Sequence, residues 1–241
     1  MSGDQSARTA MNTPLPAGFP DLSVETVARP TLRAVAAGKA SHSITYRAAA
    51  FADCRDLARF ICLAGGGLYE FLFGELIPLV APASFMAVAI ATPRCSISYR
   101  NCFVAVDDTT NAIIGAANVF PTDLLRKENH AVLPFKRRSH IQPMLDLQDW
   151  GSMFLNALAV SEPHRCRGVG ARLLAWAEDR ARRAGFDRLS LHAWADNTTA
   201  LNFYKARGFA VLAVADIPYD SRLRHVGGSI LMQRKLGQAS Y

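Results

Sequence analysis

The chain has 241 residues, of which half are hydrophobic and a fifth are charged, and its 27 basic against 20 acidic residues give a formal net charge of +7. This length suits one domain of about 100–200 residues with its own core, plus a tail, and the composition excludes the disordered and fibrous classes. The positive charge suits nucleic acid, an anionic membrane or a phosphate-bearing small molecule, and does not by itself choose among them.

Cysteines and apolar segments narrow the classes further. The five cysteines form an odd set without a Cys-x-x-Cys pair or matching Cys/His spacing, so we expect neither a disulfide framework nor a metal site. The most apolar stretch, residues 76–91, is interrupted by Pro78 and Pro82 and is shorter than the roughly 20 residues of a membrane span, which predicts a core helix. The N-terminus lacks a signal-peptide pattern, so we expect a cytoplasmic protein without membrane attachment.

The first 42 residues are rich in Ala, Pro, Thr, Ser and Gly without sustained periodicity, which predicts a disordered N-terminal extension over residues 1–42. We expect one domain over residues 43–241. Its first elements are a short edge strand, two helices separated by a run of three glycines, and an antiparallel hairpin with a polar turn. The predicted ranges are 44–47, 51–63, 68–76, 102–106 and 112–119.

A variable insertion separates this part from the rest of the domain. Residues 121–150 mix prolines, basic residues and scattered apolar residues, so the insertion is either partly helical or a mobile loop. After it, strands and helices alternate, and the predicted order is strand 153–160, helix 168–184, strand 189–194, helix 198–207, strand 209–214 and strand 229–236. Gly185 stands where a glycine commonly ends a helix. This order after an antiparallel start predicts an α/β fold with a mixed sheet covered by helices.

A glycine-containing loop joins the strand at 153–160 to the following helix. It reads Arg165-Cys166-Arg167-Gly168-Val169-Gly170, and at the start of a helix such a loop can present backbone N–H groups to a phosphate. It lacks the Gly-Lys-Ser/Thr of a Walker loop and the third glycine of a dinucleotide fingerprint. The loop alone could be an ordinary turn.

Three segments in a fixed order resemble the GNAT (Gcn5-related N-acetyltransferase) superfamily. They are Leu158-Ala159-Val160, the loop Arg165 to Gly170, and Asn197-x-x-Ala200-x-x-x-Tyr204 followed by Gly208-Phe209. The strong part of the resemblance covers residues 153–214, residues 44–121 fit more loosely, and residues 1–42 and 121–150 fall outside it. The resemblance implies a GNAT-like acyl-CoA N-acyltransferase fold, with a central, mostly antiparallel sheet, a splayed parallel pair of strands and helices on both faces.

The same resemblance implies an activity and the residues that carry it. The enzyme would transfer acetyl from acetyl-CoA to a primary amine of a small molecule or peptide, by direct attack in a ternary complex and without a metal. Acetyl-CoA would contact Leu158, Ala159, Val160, Arg165, Cys166, Arg167, Gly168, Val169, Gly170, Ala171, Asn197 and Tyr204. Backbone N–H groups of the first three would stabilise charge on the thioester oxygen, and Tyr204 would be the catalytic acid that protonates the departing thiolate.

Simpler interpretations stand beside these roles. Leu158, Ala159 and Val160 could be a plain core strand, Asn197 a helix N-cap and Tyr204 a buried aromatic residue. Cys166 is the alternative nucleophile, since a helix N-terminus among arginines lowers a thiol pKa. The base is not assigned, and its candidates, each of which could equally be a solvated surface residue, are Glu70, Glu75, Asp146, Asp149, Glu162 and His164.

Two functions of other classes stay open. One is a non-catalytic acyl-CoA-binding regulatory module. The other is a nucleic-acid or ribosome-associated factor that uses Lys136, Arg137 and Arg138, although no aromatic residues are interleaved with that run for base stacking. The expected partners are therefore acetyl-CoA and an amine acceptor, with no membrane and with nucleic acid disfavoured, and a homodimer is left open.

Overall fold

The computed structural model describes residues 43–74, 80–128 and 133–237. Its strands are β1 (Ile44–Ala48), β2 (Cys102–Asp107), β3 (Ala112–Pro121), β4 (Met153–Val160), β5 (Arg188–Trp194), β6 (Ala210–Ala215) and β7 (Ser229–Lys235). Its α-helices are α1 (Cys54–Gly65), α2 (Leu68–Phe73), α3 (Pro82–Ala91), α4 (Phe135–His140), α5 (Gln142–Asp146), α6 (Val169–Arg183) and α7 (Thr198–Lys205). The predicted disordered extension, residues 1–42, lies outside these residues and stays a prediction.

The seven described strands form one sheet in the order β1-β2-β3-β4-β5-β7-β6. Every neighbouring pair is antiparallel except β4 and β5, which are parallel. Their pairing covers only Met153 with Leu189 and Phe154 with Ser190, although β4 continues to Val160 alongside β3. The sheet therefore opens between β4 and β5, and the predicted mixed sheet with a splayed parallel pair is confirmed.

A β-bulge lies in the middle of β4. Asn118 of β3 pairs with Ala157 and Val119 pairs with Leu155, so Asn156 is the extra residue. Before the bulge Leu155 packs with α6, and after it Ala157 packs with α1 instead. After the extra residue, each side chain of β4 therefore points to the face opposite the one that it would reach in a regular strand.

Helices cover both faces of the sheet, as predicted. The stripe on α6, formed by Leu173, Leu174, Ala177 and Ala181, is fully buried in one core cluster, and α1 and α3 contribute to a second. Ala105 of β2 belongs to the first cluster, while its neighbours Val104 and Val106 belong to the second. Because successive strand residues point to opposite faces, the two clusters lie on opposite sides of the sheet.

The end of α6 confirms the predicted role of Gly185. This residue has a φ of 82°, and its N–H donates to the carbonyl oxygen of Arg182 at 3.0 Å. The N–H of Phe186 donates to the carbonyl oxygen of Ala181 at 2.9 Å. These two bonds are those of a Schellman motif, which a glycine in the left-handed region completes.

The apolar stretch 76–91 and the insertion 121–150 differ from the simplest expectations. The core helix predicted for 76–91 is wrong in extent and burial, because α3 begins only at Pro82, buries Met86 and Ile90, and leaves Phe85 and Val88 exposed. The insertion takes the partly helical alternative, with a 3-10 segment at Thr122–Lys127 followed by two short helices. None of the described helices is long and apolar enough to cross a membrane.

Candidate functional site

A cleft of about 1240 Å³ lies where β4 and β5 separate. Residues 154–160 of β4 and 192–194 of β5 line it, together with the loop before α6, the face of α7, and parts of α2, α3 and the insertion. Sites for one drug-sized ligand typically measure about 300–1,000 Å³. The cleft is therefore large enough for more than one small reactant.

Ten of the twelve residues predicted to contact acetyl-CoA line this cleft. They are Leu158, Ala159, Val160, Arg165, Cys166, Gly168, Gly170, Ala171, Asn197 and Tyr204. Arg167 is exposed outside the lining, and the side chain of Val169 is buried in the core beneath α6. Those two positions can contribute only through the main chain of the loop or, for Arg167, through a mobile side chain.

The loop presents its backbone rather than its side chains. Cys166 and Gly168 have left-handed φ angles of 59° and 81°, and α6 begins at Val169. The first N–H groups of a helix have no intrahelical acceptor and lie at its positive end. Arg165 Nε donates to the carbonyl oxygen of Val160 at 3.1 Å, which ties the loop to the end of β4. This arrangement suits an anion that bridges β4 and α6.

Asn197 is the N-cap of α7, as its simpler interpretation predicts. Its side-chain Oδ1 accepts a hydrogen bond from the backbone N–H of Ala200 at 3.1 Å. The cap uses the oxygen and leaves the amide nitrogen as a donor on a residue that also lines the cleft. One carboxamide can therefore serve both the helix and a ligand.

Tyr204 is a buried aromatic residue that borders the cleft. Its ring lies edge-on to Phe203 and Phe209, with centroids 5.2 and 5.4 Å away. Burial raises the pKa of the Tyr204 hydroxyl, since the phenolate would lose its solvation. The hydroxyl consequently keeps its proton at neutral pH and can act as a donor.

His192 is a cleft residue that the sequence did not single out. Its Nε2–H donates to the carbonyl oxygen of Leu147 at 2.8 Å, and Ser229 Oγ donates to its Nδ1 at 2.9 Å. Burial lowers the pKa of His192 to about 4. The imidazole is therefore neutral in the cleft at neutral pH. Its partners lie 37 and 45 residues away along the chain, so no local pattern could have identified it.

Tyr69 of α2 was also missed, and it belongs to a chain of side-chain hydrogen bonds that starts at the bulge. Asn156 Nδ2 donates to Asn118 Oδ1 at 3.0 Å, and Asn118 Nδ2 in turn contacts Cys102 Sγ at 3.3 Å. The Asn156 side chain also hydrogen-bonds the Tyr69 hydroxyl, and burial raises the pKa of that hydroxyl. These hydrogen bonds hold α2, and with it the Tyr69 ring, against the cleft.

None of the proposed bases that the structure describes lines the cleft. Asp146 accepts a hydrogen bond from Gln142 Nε2 and Asp149 accepts one from Gln233 Nε2, each at 2.8 Å. Glu70, Glu162 and His164 also lie outside the lining, and Glu75 is not among the described residues. Among the described residues, the carboxylate that lines the cleft is Glu128, for which the sequence carried no signal. The described residues include no group of three or more His, Cys, Asp or Glu side chains suited to a metal.

One side of the cleft is closed by segments that are far apart in sequence. A third core cluster joins α2, the insertion and the loop between β6 and β7, and its buried members are Phe71, Leu72, Ile141, Trp194, Ile217 and Leu223. Trp194 Nε1 donates to the carbonyl oxygen of Gly65 at 2.9 Å, and its ring stacks on His225 with centroids 4.9 Å apart. His225 Nδ1 donates to Asp196 at 2.6 Å, which fastens the β6–β7 loop.

Residues 88–209 match the Acetyltransferase (GNAT) family. An N-acetyltransferase from Staphylococcus aureus Mu50 is 16% identical, with a TM-score of 0.60 over 79% of this chain and 100% of that one. yncA from Salmonella typhimurium, solved with its cofactor acetyl-CoA, is 17% identical, with a TM-score of 0.50 over 83% and 97%. A GCN5-related N-acetyltransferase from Kribbella flavida is 21% identical, with a TM-score of 0.50 over 80% and 98%. At these identities the solved structures show a shared fold.

Proposed function

The chain belongs to the GNAT family of acetyltransferases, since the family match covers just over half of its length, and from this membership we propose that it transfers acetyl from acetyl-CoA to the nitrogen of a primary amine. The observation that carries the proposal is the opening between β4 and β5, where ten residues expected to hold acetyl-CoA line one cleft.

The cofactor half of this cleft fits acetyl-CoA chemically. A left-handed loop at a helix N-terminus suits the pyrophosphate. The edge of β4, which β5 leaves free beyond Phe154, suits the amides of the pantetheine arm. Arg165 and the nearby Arg207 add positive charge to the same lining. The side chain of Asn197 is placed to donate to the arm through its amide nitrogen.

Acetyl-CoA supplies the activated acetyl group, and the chain positions it and manages charge and protons. In the transfer the amine nitrogen forms a bond to the acetyl carbon as the carbon–sulfur bond breaks, which releases one CoA and one proton for each amide. Successive N–H groups of a strand point in opposite directions, and that of Ser161 donates to the carbonyl oxygen of Ile114 in β3, so the main-chain N–H groups at Leu158 and Val160 face the opening and stabilise negative charge on the carbonyl oxygen. Tyr204, protonated in its buried position, donates a proton to the departing sulfur and recovers one from the nitrogen as the amide forms. The one proton released per amide is the one that the ammonium form of the amine loses before it attacks. No covalent enzyme intermediate is part of this proposal, so the exposed Cys166 has no role as a nucleophile.

The test is a turnover assay with acetyl-CoA and a broad panel of amines, in which free CoA is followed by thiol reagent and the product by mass spectrometry. We expect amine-dependent release of CoA in a one-to-one ratio with acetylated amine. Tight binding of acetyl-CoA in calorimetry, without release of CoA by any amine, would instead support the non-catalytic acyl-CoA-binding module.

The nucleic-acid alternative receives less support from the basic run on α4. Arg137 donates to the carbonyl oxygen of Leu72 at 3.3 Å, and Arg138 lies over the ring of Phe135. These two cations are therefore engaged within the chain rather than arrayed for a phosphate backbone. The cytoplasmic location stays a prediction from the sequence, and a homodimer stays an open question.

A further inference from the structure

The part of the cleft formed by α2, α3 and the insertion is lined mainly by apolar side chains. They include Leu72, Phe73, Phe85, Met86, Met144 and Leu145. The rings of Phe73 and Phe85 pack with centroids 4.9 Å apart, which makes one wall aromatic. Burial of apolar ligand surface against such a lining is favourable. The lining offers few hydrogen-bond partners to a ligand covered with hydroxyl groups.

Among the described residues that line this side, charged groups are few, and most of them are positive. Arg94 and Lys127 line the cleft here, and Glu128 is the only carboxylate among the described residues of the whole lining. A polyamine or an aminoglycoside brings several ammonium groups, each of which loses hydration on entry unless it meets its own carboxylate. One carboxylate can compensate one ammonium group.

Glu128 is held in place by a buried partner. The backbone N–H of Ser96 donates to Glu128 Oε1 at 3.3 Å, and Ser96 Oγ donates to the same oxygen. Ser96 itself is buried, so the carboxylate is fixed at the surface of the cleft. Because both donors bind Oε1, Oε2 is the oxygen that remains to accept from an ammonium group.

We propose that the acceptor is a primary monoamine on an apolar body, alkyl or aromatic, whose nitrogen is held by Glu128 while its body lies against α2, α3 and α5. This assignment rests on the proposed acetyl transfer and narrows it. Polyamines and aminoglycosides are the acceptors that it disfavours most. A free amino acid is disfavoured less strongly, because Arg94 and Lys127 offer positive charge to its carboxylate.

The test uses the full chain and a homologous series of unbranched alkylamines, with spermidine, an aminoglycoside and leucine as polar comparisons. The amine pKa is nearly constant along the alkyl series, so the slope reports burial of the chain. Burial of about 0.8 kcal/mol for each CH₂ corresponds to a threefold to fourfold rise in kcat/KM for each added methylene. We expect that rise until the pocket is full, and kcat/KM for spermidine at least tenfold below that of hexylamine.

The outcomes separate the two proposals. A flat alkyl series, or a preference for spermidine, the aminoglycoside or leucine, overturns the apolar acceptor while it leaves acetyl transfer intact. Binding of acetyl-CoA without turnover of any amine overturns the acetyl transfer itself, and the acceptor class with it. A rising series supports both.

Two variants sharpen the result. Met144→Glu places a second carboxylate in the apolar lining, so we expect it to flatten the alkyl series and to favour a diamine over the monoamine of equal length. The matched control is Phe135→Glu on the adjacent α4, where the side chain is 73% exposed and does not line the cleft.

Glu128→Gln should raise the KM for amines at least tenfold and leave the Kd of acetyl-CoA unchanged. An unchanged KM would remove Glu128 from acceptor binding.

Discussion

Tyr204 shows how a single residue joins packing to chemistry. Its ring is held by Phe203 and Phe209, and its buried hydroxyl keeps the proton that, in the proposed reaction, passes to the departing thiolate. Tyr204→Phe keeps the ring and removes only this proton donor. We expect kcat to fall about 10²-fold, in the range of lost general acid catalysis, with little change in the Kd of acetyl-CoA.

The comparison for this variant is Tyr219→Phe, which removes the same atom from a ring that is 73% exposed and outside the cleft. Steady-state kinetics and calorimetry on the two proteins separate turnover from binding. If Tyr204→Phe turns over as fast as Tyr219→Phe, the hydroxyl of Tyr204 has no part in the reaction.

His192 couples the cleft to the acid stability of the fold. Its pKa is about 4 in the folded chain, whereas an unfolded histidine titrates near about 6.5. Between these values the unfolded state binds more protons, so the free energy of unfolding falls as the pH drops through this window. The imidazole contribution is fully present above the higher pKa.

His192→Gln should therefore reduce this acid sensitivity. Urea midpoints measured at about pH 7 and about pH 5 should differ less in the variant than in the parent chain, because glutamine takes up no proton there. Equal differences in the two proteins would mean that His192 does not titrate as its burial requires.

At the scale of residues, the sequence predicted those whose role follows from neighbours along the chain. Asn197 is an N-cap because of the helix that starts after it, and Gly185 is the left-handed residue that follows α6. His192, Tyr69 and Glu128 escaped prediction because their surroundings are built by elements distant in sequence. Their partners in the fold, rather than their residue types, distinguish them from ordinary strand, helix and surface residues.

At the scale of elements, periodicity predicted what a single helix or strand can specify by itself. The extent of α6 and the glycine that ends it are local features, and both were predicted. The limits of α3 were not, because a uniformly apolar segment has no periodicity from which to read its buried face. The insertion stayed open since α4 and α5 are too short to show a pattern and are held by packing against α2.

The end of α6 offers a test of such local control. Gly185→Ala should lower the free energy of unfolding by about 1 kcal/mol, because an L-residue is strained in the left-handed region even in open space. No atom lies within 4 Å of the added Cβ, so crowding does not contribute. Gly185→Asn should lose less, since asparagine tolerates this conformation better. Urea unfolding measures both, and equal losses would contradict a conformational origin.

At the scale of the whole molecule, the two sides of the cleft have different origins in the chain. The cofactor side comes from one stretch, residues 153–209, and its motifs lie close enough together along the chain to indicate the fold and the family by themselves. The other side assembles α2, α3, the insertion and the β6–β7 loop, which meet only in three dimensions. The acceptor class therefore had to be inferred from the assembled lining.

Because the sheet opens between β4 and β5, we expect the free energy of unfolding to depend on bound acetyl-CoA. Beyond Phe154 the two halves of the sheet are not paired with each other, so a molecule that bridges them adds contacts available only to the folded chain. Acetyl-CoA at about 100 times its Kd should raise the free energy of unfolding by about 2.7 kcal/mol. Thermal unfolding with increasing acetyl-CoA measures the gain, with AMP as the comparison, and a midpoint independent of acetyl-CoA would contradict binding in the cleft.

Because of the bulge at Asn156, we expect β4 to tolerate substitutions better than insertions or deletions. Loops commonly accept the gain or loss of one residue, but a single deletion within this strand would restore regular alternation and exchange the faces of every side chain after it. Leu158 and Val160 would then point toward α1 instead of α6. Variants of this protein can therefore carry other residue types in β4, but a change in the number of its residues would disrupt the packing on both faces.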